Sequence, residues 1–164
     1  MDASLKLFEI LEILARHNVD FILVGGIAAI LEGAPVSTFD LDIMVRSTTE
    51  DRDRLLEVLR ELNARYVDPA GRTIFPDRKK METLRIHRFL TDLGPLDVLE
   101  TIGHGLAYDD LINETAIYQV GGLPVRTLRL GMIIRSKEEA NRDKDQATLP
   151  ILRRTLKLKS GGES

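Results

Sequence analysis

Apolar residues recur at helical spacing through residues 4–17, where Leu5, Phe8, Leu11, Leu14 and Ala15 share one face, and this pattern predicts an amphipathic helix. The dense run Asp20-Phe21-Ile22-Leu23-Val24 follows and reads as a short buried strand that stops at Gly25-Gly26. Residues 27–32 predict a short helix closed by Gly33 and Pro35, and residues 38–45 a second strand. Ser47 followed by Glu50 has capping-box spacing, which predicts a helix with Leu55, Leu56, Leu59 and Leu62 on its buried face. Residues 66–80 carry Pro69, Gly71 and Pro76 and predict an irregular connection or a small hairpin.

A period of two returns at Leu84, Ile86, Arg88 and Leu90, which alternate with Arg85, His87, Phe89 and Thr91 as in a strand. Asp92-Leu93-Gly94-Pro95 predicts a turn into a further strand over residues 96–101, hence an antiparallel hairpin. A short helix over residues 108–113 precedes residues 116–120 and 123–127, which flank Gly121-Gly122 as a two-residue hairpin. Two or three helices fill residues 128–159, with Pro150 bending or restarting the last. The sum is an α/β (α+β) chain: a small mixed sheet, helices packed on one side and a helical C-terminus. Residues 1–159 are expected to form a single domain and residues 160–164 a disordered tail.

Composition narrows the chemistry. The absence of cysteine excludes disulfides, thiolate zinc sites and cysteine nucleophiles. His17, His87 and His104 are too far apart to share a metal-ligand spacing, and 5% aromatic residues leave few platforms for stacking bases. The longest uncharged apolar stretch, residues 21–31, is far short of the ~20 residues that span a bilayer, and Met1-Asp2 opens no basic signal region. A cytoplasmic location without a membrane partner is expected. The net charge of −3 hides an asymmetry: residues 1–125 hold 13 Lys and Arg against 21 Asp and Glu, whereas residues 126–159 hold 10 against 4. The basic part is either an anion-holding surface or a solvated helix.

The informative segment is Phe39-Asp40-Leu41-Asp42-Ile43-Met44-Val45. On a strand, Phe39, Leu41, Ile43 and Val45 share the core face and leave Asp40 and Asp42 side by side on the other. Two neighbouring carboxylates repel unless a cation sits between them, and hard oxygen donors suit Mg2+. The alternative is a solvent-facing pair on an edge strand. Gly25 and Gly26, between a strand and a helix, either let a phosphate approach free amides or simply make a tight turn. Asp97 is an acid inside the apolar run Leu96-Asp97-Val98-Leu99, expensive to bury unpaired, and is either a third metal ligand or bonded to a neighbouring group. Three such carboxylates suit a two-metal site with cations about 3.5–4 Å apart.

Gly25-Gly26, then Thr38-Phe39-Asp40-Leu41-Asp42, then Asp97 on a later strand resembles the polymerase-β-type nucleotidyltransferase superfamily. The closest likeness is to its small single-domain bacterial members: the minimal, aminoglycoside-, lincosamide- and AbiEii-type proteins. Lys137, Arg142, Lys144 and Asp145 are similar to the Lys-x-x-x-x-Arg-x-Lys-Asp helix of the minimal proteins. Val36 stands where many relatives have Arg, and Gly25-Gly26 where many have Gly-Ser. The resemblance implies that Asp40, Asp42 and Asp97 bind Mg2+ and catalyse, Asp97 acting as or positioning the general base. It implies that Gly25, Gly26, Ser37, Thr38, Lys137, Arg142 and Lys144 contact the nucleotide or the acceptor. The implied reaction transfers a nucleoside monophosphate from an NTP to a hydroxyl or phosphate acceptor and releases pyrophosphate. The acceptor is a small molecule, an RNA end or a protein, and homo-oligomers are compatible with so small a transferase. The alternatives are a toxin-type enzyme acting on tRNA with a partner antitoxin, or a non-catalytic nucleotide-binding module of the same fold.

Overall fold

The computed structural model describes residues 4–161. Along the chain the elements are α1 (Leu7–Arg16), β1 (Ile22–Val24), α2 (Gly25–Leu31), β2 (Leu41–Met44), α3 (Thr49–Glu61), β3 (Arg65–Tyr66), α4 (Arg78–Thr83), β4 (Ile86–Thr91), β5 (Gly94–Leu99), β6 (Thr101–Ile102), β7 (Leu106–Ala107), α5 (Tyr108–Leu111), β8 (Thr115–Val120), β9 (Leu123–Leu128), α6 (Leu130–Ala140) and α7 (Asp143–Gly161). Seven strands make one mixed sheet in the order β3-β4-β5-β2-β1-β9-β8, and β6 pairs with β7 separately. β2 runs antiparallel to β1 and parallel to β5, and β1 runs parallel to β9. Hairpins β4-β5 and β8-β9 complete the sheet, the second turning at Gly121 and Gly122, whose φ angles of +57° and +86° suit glycine. Among the described residues no helix is long and apolar enough to cross a membrane.

The strand pattern divides the sheet into two faces. Leu23, Leu41, Ile43, Phe89, Leu96 and Val98 are fully buried and form the core with α1, α3 and the sheet-facing residues of the other helices. α1 is rotated from the expected face: Ile10, Leu11 and Leu14 are buried, Ala15 is exposed, and the Phe8 ring lies against Gly121 of the distant hairpin. The α3 cap moves by one residue. Thr48, not Ser47, accepts from the Asp51 amide (3.1 Å), because the Asp51 carboxylate takes the Thr48 hydroxyl while Glu50 is engaged by Arg54 at 2.7 Å.

Three other expectations change. β2 begins at Leu41, so Phe39 lies outside the strand and is 80% exposed rather than on the core face. Gly94 and Pro95 belong to β5 rather than to the turn, since the register with β4 continues through Leu90↔Pro95 and Thr91↔Gly94. α7 passes through Pro150 as one helix and reaches Gly161, two residues into the segment expected to fray, while residues 162–164 lie outside the described residues.

The C-terminal helices are anchored by one buried carboxylate. Glu32, at the end of α2, accepts the Tyr118 hydroxyl from β8, the Leu130 amide at the start of α6 (2.7 Å) and Lys159 Nζ from α7 (3.3 Å). Burial opposes its ionisation, but these bonds outweigh burial and hold its pKa below the ordinary range. Its stabilisation is therefore present above the usual titration range and lost as pH falls through the depressed folded value. Glu32→Ala leaves the Tyr118 hydroxyl and the Leu130 amide without an acceptor, whereas Lys159 Nζ keeps the residue 32 carbonyl (3.0 Å), and should cost about 2–3 kcal/mol in urea denaturation at pH 7, with a smaller difference in acid.

Candidate active site

β1, β2 and β5 lie side by side, and their register places Val24 opposite Asp42 and Asp42 opposite Asp97. Directly paired residues project on the same face, so the Asp42 and Asp97 carboxylates are neighbours. Asp40 arrives from the segment just before β2. Ligand oxygens of Asp40, Asp42 and Asp97 all lie within 4.8 Å of one another. Asp42 Oδ1 is buried and has no hydrogen-bond partner among the described residues. Burial, followed by the charges of Asp97 and Asp40, pushes the Asp42 carboxyl up to about 7. Burial and the Asp40 charge also push Asp97 up, with Arg88 and Lys144 opposing the rise.

A single-sign cluster of hard oxygens with an orphaned buried carboxylate oxygen is the donor set a divalent cation such as Mg2+ requires. A bound cation would satisfy Asp42 Oδ1 and remove the mutual repulsion that raises the carboxyl pKa values. The residues present therefore fit the metal implied by the sequence.

The two glycines make room for this cluster. Gly25 has φ +69°, and a Cβ there would overlap Asp42 Oδ2 and stand 2.8 Å from its Cγ. A Cβ on Gly26 would stand 2.6 Å from Thr38 Cβ. The space that glycine leaves is thus taken by the chain's own Asp42 and Thr38. Thr38 Oγ1 in turn lies at 3.5 Å from the Asp40 amide, a long bond that ties the approach to β2. Ser37 is exposed beside this segment.

The expected basic residues separate into two groups. Lys137 (3.1 Å) and Arg142 (3.0 Å) both bond the carboxylate of Asp145, which is 1% exposed. Their charges hold the α6–α7 joint closed, because a buried carboxylate needs paired cations. Asn141, with φ +48°, breaks the helix between Lys137 and Arg142 and so brings both round onto Asp145. Lys144 remains exposed at the start of α7, and its charge reaches both Asp42 and Asp97.

One residue near the acids was not anticipated as functional. Arg88 on β4 stands directly opposite Asp97. The alternation of residues 84–91 marked a strand, but only the pairing with β5 puts Arg88 on the carboxylate face.

Residues 6–108 match the family model described as aminoglycoside-2''-adenylyltransferase. Among solved structures, the lincosamide antibiotic adenylyltransferase LnuA, in its lincomycin-bound form, superposes with a TM-score of 0.63 at 10% identity, over 93% of this chain and 98% of that one. ANT(2'')-Ia in complex with adenylyl-2''-tobramycin gives a TM-score of 0.56 at 16% identity, over 92% and 87%. The Thermotoga maritima protein TM1012 gives 0.57 at 16% identity, over 88% of each chain. At these identities the likeness establishes a shared fold. No curated protein sequence matches the chain.

Proposed function

Because this chain belongs to the aminoglycoside-2''-adenylyltransferase family and is a nucleotidyltransferase, we propose that it transfers a nucleoside monophosphate from an NTP to a hydroxyl of a small-molecule acceptor, with Mg2+ and with release of pyrophosphate. The observation that carries this reading is the convergence of Asp40, Asp42 and Asp97. Adenylylation by ANT(2'')-Ia and LnuA makes ATP the first NTP to try. The supply of NTP and Mg2+ places such a reaction in the cytoplasm.

Asp40 and Asp42 would hold Mg2+, with Asp97 completing the set. When bound, the metal neutralises phosphate charge and stabilises the oxygens gained and lost at the reacting phosphorus. The chain's residues do the rest by positioning, which dominates phosphoryl-transfer catalysis. The backbone amides of Gly25 and Gly26, with the Thr38 hydroxyl beside them and Ser37 next in the chain, lie toward β1 and would receive the phosphates. Lys144 approaches from α7 and offsets their charge. Asp97, farthest from the glycines, orients the acceptor hydroxyl and takes its proton. The acceptor oxygen then bonds to the α-phosphorus, the bond to the bridging oxygen breaks, and that electron pair leaves with pyrophosphate.

The reading is tested with ATP labelled at the α-phosphate, Mg2+ and a panel of hydroxylated small molecules. Transfer of label with one pyrophosphate released per product supports it. Failure of ATP to bind in the presence of Mg2+ would refute it. Lys144 and Lys137 should separate in the same assay. Lys144→Ala should raise the KM for ATP about tenfold at unchanged Tm, whereas Lys137→Ala should lower Tm because Asp145 keeps only one of its cations.

A further inference from the structure

The carboxylate face continues past Asp97 onto β4, and there its chemistry changes. The register Val24↔Asp42↔Asp97↔Arg88 draws one row across four strands. The Val67 amide donates to the Arg88 carbonyl (2.9 Å), which extends β3 by one pair and sets Val67 beside Arg88. On β4 itself, Ile86 and Leu90 flank Arg88 on the same face, at 52% and 40% exposure, and Val67 is 54% exposed. No acid stands on this face of β4. His87, Phe89 and Thr91, between them, are buried on the core side.

This arrangement has an orientation. Gly25 and Gly26 lie at the β1 end of the row, next to Asp42, so the phosphates approach from that end. The β4 end, beyond Asp97, is where an acceptor would meet the same carboxylate. Its floor is a guanidinium framed by three apolar side chains. A guanidinium binds carboxylate or phosphate with two parallel hydrogen bonds, and the apolar frame suits the uncharged body of such a molecule. A cationic group set directly over Arg88 meets like charge instead, with Asp97 the nearest acid, on the neighbouring strand.

We infer that Val67, Ile86, Arg88 and Leu90 form the acceptor subsite, and that it takes a hydroxylated molecule with an apolar body and an anionic group held by Arg88. The inference rests on the proposed transfer reaction and deepens it. Arg88 is a specificity residue here: it fixes the acceptor, so that the acceptor's hydroxyl faces Asp97.

Calorimetry on the full chain, loaded with Mg2+ and a non-hydrolysable ATP analogue, tests this with matched probes. These are para-nitrophenyl glucuronide, the neutral para-nitrophenyl glucoside, the phosphorylated glucoside and the polycation tobramycin. The glucuronide or the phosphorylated glucoside should bind about tenfold more tightly than the neutral glucoside, and tobramycin most weakly. Whichever anion binds better tells carboxylate from phosphate. Arg88→Gln should bring the anionic probes down to the level of the neutral one, and Arg88→Lys should keep part of the preference. Tighter binding of tobramycin, no binding of either anionic probe, or a preference that survives Arg88→Gln overturns the inference. The same holds if Arg88→Gln weakens the ATP analogue rather than the acceptor probes. Loading is measured first, so a failure of the nucleotide itself to bind with Mg2+ identifies failure of the transfer reading, and the subsite falls with it.

Discussion

Asp42→Asn should reduce nucleotidyl transfer by about a thousandfold or more while making the metal-free protein more stable. The two effects have one cause. Asp42 is buried between Asp97 and Asp40, its Oδ1 lacks a partner among the described residues, and its carboxyl is pushed up to about 7. The folded protein therefore holds a proton there that the unfolded chain, with an ordinary value of 3.8, has already released. Through that window the native state binds more protons than the unfolded state, so stability falls as pH rises from about 4 to about 7. Above it the full repulsion is present. Asparagine keeps the shape, removes the charge and should raise the metal-free Tm at pH 8 by about 3 °C or more.

Magnesium should act in the same window with opposite sign. A cation that binds the folded carboxylates and not the unfolded chain adds stability by mass action, most where all three acids are ionised. Melting curves from pH 5 to pH 8, with chelator or with Mg2+, should diverge as pH rises for the unsubstituted protein and stay close for Asp42→Asn. Parallel curves for the two proteins would mean that the three acids hold no metal.

Much of this site was legible because its signals are local. Alternation around Leu41 and Ile43 marks Asp40 and Asp42 as neighbours on one side of the segment, although Asp40 joins the cluster from just before β2, and an acid within Leu96-Asp97-Val98-Leu99 is conspicuous in any fold. Phe39 was misplaced because apolar alternation runs one residue pair farther than the ladder does. The strand starts only where β5 supplies partners, at Leu41↔Leu96. In residues 84–91 the period was clear but the face was not. Leu84, Ile86 and Leu90 look like the core set, yet His87, Phe89 and Thr91 are the buried residues, because pairing with β5 fixes the register. The cations were hardest to sort. Lys137, Arg142 and Lys144 look alike in sequence, and only the break at Asn141 and the burial of Asp145 commit two of them to a structural pair. Glu32, which joins residues 118, 130 and 159, gives no local signal at all.

Gly25→Ala should be as damaging to transfer as many a direct loss of a ligand, and should move stability the other way from Asp42→Asn. Two costs combine. At φ +69° an alanine occupies the left-handed region at about 1–2 kcal/mol, and its Cβ would overlap the Asp42 carboxylate. Asp42 has little room to retreat along the backbone, because Val24↔Asp42 and Asp42↔Asp97 pin it from both sides. Its side chain must rotate instead, out of the cluster it forms with Asp40 and Asp97. Transfer should fall about a hundredfold or more, as expected when a positioned group is displaced by an ångström. Affinity for Mn2+, followed by electron paramagnetic resonance as a stand-in for Mg2+, should fall with it, and Tm should drop by several degrees. Gly26→Ala is the matched control. Its Cβ meets Thr38 instead of Asp42 and reaches the acids only through the long Thr38–Asp40 bond, so it should weaken ATP binding while lowering Mn2+ affinity much less than Gly25→Ala does. Equal losses of Mn2+ affinity in both variants would show general disruption of the β1–α2 junction and not the displacement of one carboxylate.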